Sequence, residues 1–164
     1  ATASAPVVRG QPPAPPPHPY AVLLTMTSRA DKLWPEERWT ELARALAARG
    51  VRAVLPWGSA LERARCERLA HMLEGAQVPA RMDIAQLARL MRGAYGVVGV
   101  DTGLAHLAAA LGAPTVGVFC GSDPALTGLY GSPRARNLGA PGRPPAAAEV
   151  LAALEAVSLV EAVS

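Results

Sequence analysis

Aromatic side chains are scarce in this 164-residue chain: 4% of positions are Phe, Trp or Tyr, although 51% are hydrophobic. Ala, Leu and Val must therefore fill the interior. The arginines are scattered along helical segments with few aromatics between them, and the net charge is only +3. That pattern fits solvated helix faces and argues against nucleic acid as a partner. Cysteine is nearly absent. Cys66 and Cys120 form no CxxC or Cys/His set, so they read as buried thiols of a reducing, cytoplasmic compartment. No apolar run of about 18 residues escapes interruption by charge, Gly or Pro, so no transmembrane helix is expected. The start lacks the basic residues and long apolar core of a signal peptide. Lysine occurs once, as Lys32, against fifteen arginines. So strong a bias leaves room for a specific use of one ammonium.

What the chain does have is clearest in residues 97–119, VVGVDTGLAHLAAALGAPTVGVF. A Val-rich run ends in Asp101-Thr102-Gly103, a small-residue helix follows and stops at Gly112, and Pro114 leads into a second Val-rich run. That order predicts strand, tight turn, helix and strand, one βαβ unit of a parallel sheet. The turn leaves backbone N–H groups free at the positive end of a helix dipole, where a phosphate or pyrophosphate is favoured. Asp101, Thr102 and His106 add side chains able to orient a polar ligand.

The rest of the chain alternates in the same way. Residues 1–19 carry the Pro-rich stretch PVVRGQPPAPPPHP and read either as an extended linker from a preceding half, the favoured reading, or as a disordered arm. Residues 20–164 read as one domain. Strands are expected at Tyr20 to Met26 and Val51 to Leu55, near Val78, and weakly at Arg136 to Leu138. Pro35 suits the first turn of a helix ending at Gly50. Ser59 and Glu62 have capping-box spacing ahead of a helix to about Leu73. Asp83 can cap the helix IAQLARLMR before Gly93, and residues 146–163 form a terminal helix. Residues from Gly121 to about Arg134 read as a loop. The class is α/β: an open, mostly parallel, Rossmann-like sheet with helices on both faces. Ligands of such sheets bind at the carboxyl ends of the strands, and polar residues cluster there: 27–32, 56–62, 82–83, 101–103 and 121–124.

TSRADKLWPEERW, LPWGS with Glu62, VGVDTGLAHLAAALGAPTVGVF and the SDP…TG…YG loop together resemble the C-terminal half of ADP-heptose:lipopolysaccharide heptosyltransferases, most of all their type I members. The resemblance runs from about Tyr20 to Gly131. It implies the C-terminal half of a GT-B fold, binding ADP-L-glycero-D-manno-heptose for inverting transfer to the Kdo–lipid A inner core. It also implies an N-terminal half that supplies the acceptor site, the catalytic Asp and any peripheral membrane contact, so that this chain alone binds donor without turnover. The full-length enzyme would then work at the inner face of the bacterial inner membrane. Carried over by motif, Thr27, Ser28 and Lys32 would contact the donor diphosphate, Ser28 standing where the family often has a second threonine. Glu62 would bond the adenosine ribose, and Met82 would lie beside adenine. Asp101, Thr102, Gly103 and His106 would line the heptose and phosphate end. No DxD carboxylate pair appears, so neither a cofactor nor an obligatory metal is expected.

Each residue also has a plainer role. Asp101-Thr102 can be a helix N-cap, His106 an interior histidine, Lys32 a surface cation and Met82 core filler. Glu62 is fully accounted for by its capping-box position. Alternative functions are a sibling transferase using another nucleotide sugar, or a non-catalytic nucleotide-binding module.

Overall fold

The computed structural model describes residues 19–27, 29–129 and 131–160. Five strands, β1 (Tyr20–Leu24), β2 (Arg52–Val54), β3 (Gly96–Val100), β4 (Thr115–Phe119) and β5 (Ala135–Gly139), form one parallel sheet in the order β2-β1-β3-β4-β5. The central strands YAVLL, GVVGV and TVGVF are buried throughout, as uninterrupted apolar strands covered on both faces must be. Among the described residues, α1 (Glu36–Ala48), α2 (Ala60–His71), α3 (Ile84–Arg92), α4 (Gly103–Ala110) and α5 (Pro124–Thr127) lie between strands, and α6 (Ala147–Ser158) follows the last of them.

Alternate strand residues separate two cores. Leu23, Val98 and Val100 pack with α1, α2 and α6, while Val22 and Val97 pack with α3 and the alanines of α4. Trp34 and Trp39 meet edge to face at 4.8 Å in the first core. Trp34 donates its indole N–H to the Pro145 carbonyl at 2.9 Å, anchoring the strap that leads into α6. The chain builds β2 on one side of β1 and then returns to build β3 on the other. The switch point of this Rossmann-like sheet therefore lies between the carboxyl ends of β1 and β3. None of the helices described is long and apolar enough to cross a membrane.

Several local expectations change. The segment at Val78 is no strand. Gln77 makes a single parallel bridge to Val54, and Pro79, which lacks an N–H, prevents the ladder from continuing. The weakly expected strand near 136–138 is a full edge strand, and its exposed Arg136 and half-buried Asn137 and Leu138 reflect that edge position. The loop after Gly121 contains α5, whose N-cap Asp123 accepts from the Ala125 N–H at 2.9 Å. The terminal helix ends at Ser158, earlier than expected. The Pro-rich arm, apart from Pro19, lies outside the described residues.

Both cysteines are buried free thiols, and burial pushes each up to about 11. Gly139 closes β5 with φ +91°, and a Cβ there would overlap the Phe119 carbonyl. Gly139→Ala should therefore cost about 3 kcal/mol, because strain and overlap act together. A lower urea midpoint at unchanged slope would show this, whereas an unchanged midpoint would refute it.

Candidate functional site

The loop after β1 carries Thr27 and leads into a 3-10 turn, Ala30–Lys32, that ends on the single lysine. The loop after β3 carries Asp101 and Thr102 and opens directly into α4. These two loops flank the switch point, so residues 69 apart in sequence meet there: Lys32 Nζ lies 3.0 Å from Asp101 Oδ2. Their side chains are 17% and 7% exposed, which makes this a sheltered ion pair and not a solvated surface cation. Ser122 also donates its hydroxyl to Asp101 Oδ2, at 2.7 Å. The other carboxylate oxygen faces His106, with Nε2 3.7 Å away. His106 is exposed, so the interior-histidine reading does not hold.

Thr102 occupies the N-cap position of α4 in extended backbone, φ −151°, yet its hydroxyl makes no capping hydrogen bond. The local explanation therefore leaves that hydroxyl unaccounted for. The first backbone N–H groups of a helix have no partner within it and carry the positive end of its dipole. Gly103, the first residue of α4, is exposed, with nothing within 4 Å of where a side chain would begin. The helix start is open to a ligand on the side where Lys32 and Asp101 stand.

Thr27, Lys32, Asp101, Thr102, Gly103 and His106 line one cleft of about 610 Å³, which Glu62 and Leu104 also border. Glu62 and Leu104 continue into an adjoining lobe of about 730 Å³ beside Trp57, Arg81 and Met82. Half of the expected capping box forms: the Glu62 N–H donates to Ser59 Oγ at 3.2 Å, but the Glu62 oxygens accept from the Ser59 hydroxyl and from the Gly58 N–H instead of from the Ser59 N–H. A carboxylate offers about four acceptor sites, so the cap pre-orients Glu62 without exhausting it. Met82 is half-buried at the lobe wall, not core filler, and the capping box of Asp83 with Gln86 holds the following turn in place. Trp57 donates to the Pro79 carbonyl at 2.8 Å and ties the two walls of the lobe together. Ser28 lies outside the described residues. Ser122 and Arg81 had no assigned role in the sequence; the signals for Ser122 were its place in a loop after a strand and in the SDP motif.

A third cavity, of about 420 Å³, lies at the amino ends of the strands. The carbonyl end of α4 faces it, and Arg134 there already donates to the Gly112 carbonyl at 3.0 Å. It offers an anion little. Among the described residues, no three His, Cys, Asp or Glu side chains gather so as to hold a metal ion.

A parallel α/β sheet with an apolar lobe running into a lysine and a helix start, all at its switch point, defines a Rossmann-like domain with its cleft where such sheets bind ligands. More particularly, the chain belongs to glycosyltransferase family 9 (heptosyltransferase), whose model matches residues 6–150. It is 50% identical over 113 residues to lipopolysaccharide heptosyltransferase 1 of Pseudomonas aeruginosa, a match covering 69% of this chain and 32% of that protein. The structure of Escherichia coli heptosyltransferase WaaC with ADP superposes with a TM-score of 0.78 at 42% identity, over 84% of this chain and 44% of the other. The same enzyme with ADP-2-deoxy-2-fluoro heptose gives 0.67 at 45% identity, over 75% and 37%. The chain spans about a third of the length of the curated relatives it matches.

Proposed function

We propose that residues 20–164 form the donor-binding domain of an inverting heptosyltransferase of lipopolysaccharide synthesis. The donor is ADP-L-glycero-D-manno-heptose and the acceptor Kdo–lipid A. One observation carries this reading: Lys32, Asp101 and the open start of α4 converge at the switch point, in a cleft that continues into the lobe beside Met82. The likeness to a heptosyltransferase solved with ADP and with an ADP-heptose analogue supports the choice of donor.

Adenine enters the lobe beside Met82, and Glu62 accepts from the ribose hydroxyls. Thr27, Ser28 and Lys32 take the diphosphate, while Asp101, Thr102, Gly103 and His106 line the phosphate and sugar end. As the bond between the sugar C1 and the β-phosphate oxygen breaks, negative charge grows on ADP. The Lys32 ammonium and the amides of residues 102 and 103 are aimed at that charge before the reaction starts, which lowers the barrier. This counter-charge needs no metal. Acceptor binding and deprotonation fall to an N-terminal half, joined through residues 1–19 and meeting the membrane's inner face.

Thermal melting tests the donor assignment. ADP and ADP-heptose at about a hundred times Kd should each raise the melting temperature by roughly 5 °C, with UDP giving less than half of that. An equal response to UDP, or no response to any of the three, would overturn it.

A further inference from the structure

We propose that Ser122 is a positioning residue that holds the Asp101 carboxylate in place when the donor binds. The proposal rests on the assignment of Asp101 to the sugar end. Ser122 Oγ donates to Asp101 Oδ2 at 2.7 Å, and Lys32 Nζ contacts the same oxygen at 3.0 Å. The two partners differ in reach. Lysine carries its ammonium on a flexible four-carbon stem and can turn to an arriving phosphate. The serine hydroxyl sits one carbon from the backbone and cannot follow. Once the diphosphate draws Lys32 away, Ser122 still grips Oδ2, and Oδ1 stays turned toward His106 and the cleft.

Local structure gives Ser122 no competing task, because the N-cap of the short α5 is Asp123. The turn that carries Ser122 is itself fixed. Gly121 packs so closely on the 3-10 turn that a Cβ there would overlap the Asp31 carbonyl. Asp31 immediately precedes Lys32, so the loops after β1, β3 and β4 are locked around a single carboxylate.

Calorimetric titration of the chain with ADP and with ADP-heptose separates the possible outcomes. Ser122→Ala should raise the Kd for ADP-heptose about tenfold while changing that for ADP less than about twofold, since the lost bond orients only the sugar-facing group. Ser122→Thr, which keeps the hydroxyl, should restore ADP-heptose binding to within about twofold of the parent. Equal losses for both ligands, or none for ADP-heptose, would overturn the role of Ser122 and leave the donor assignment standing. Failure of the unsubstituted chain to bind either ligand would sink both.

Discussion

Lys32→Ala is expected to weaken ADP binding roughly thirtyfold and adenosine binding less than about twofold, the scale of losing one sheltered charge-assisted contact to a phosphate. Two effects add. The ammonium no longer meets the diphosphate, and the Asp101 carboxylate, only 7% exposed, loses a compensating partner at 3.0 Å. The diphosphate would then face an undiminished negative charge where it formerly met a cation. Adenosine reaches neither group, because the Met82 lobe lies beyond Glu62 and Leu104. Calorimetry with the two ligands checks the split, and equal losses for both would remove the diphosphate from this end of the cleft. The ADP affinity of the unsubstituted chain should also fall with added salt, though less than for a surface pair, because the contact is sheltered.

Gly103→Ala should separate folding from binding. The position lies in the first turn of α4, and a methyl group there meets nothing within 4 Å, so the melting temperature should hold or rise slightly. Side chains of a helix tilt toward its amino end, so the methyl would stand where the anion approaches the amides. Losing even one backbone hydrogen bond to a charged phosphate corresponds to about tenfold weaker ADP binding or more. A variant that melts normally and binds ADP as well as the parent would show that the diphosphate does not sit on this helix start.

Much of the fold was legible in the sequence. The βαβ unit at 97–119 reads directly because each of its elements is short, strongly patterned and joined by a tight turn. Asp83 and Gly93 bracket α3 as expected, since caps act over three or four residues. Val78 misled because one β-branched residue carries no periodicity, and Pro79 decides the matter. The strand at 135–139 was faint because an edge strand is buried on less of its surface and tolerates Arg136 and Asn137. Asp123-Pro124 did carry a helix-start signal, an N-cap residue followed by Pro at the first helical position, but four residues of helix leave little pattern.

The site was legible in kind and not in arrangement. The sequence alone determined which residue types stand at the carboxyl rim: one lysine, an Asp-Thr-Gly turn opening a small-residue helix, and a capped Glu62. Those are local properties, written in neighbours a few positions apart. Tertiary structure alone decided that Lys32 and Ser122 grip the same oxygen of Asp101, that Thr102 leaves the cap unused, and that Glu62 serves a cap while bordering two lobes. The reason is geometric. A parallel sheet aligns the ends of strands that lie far apart in the chain, and strand order, which no short segment encodes, sets which loops become neighbours.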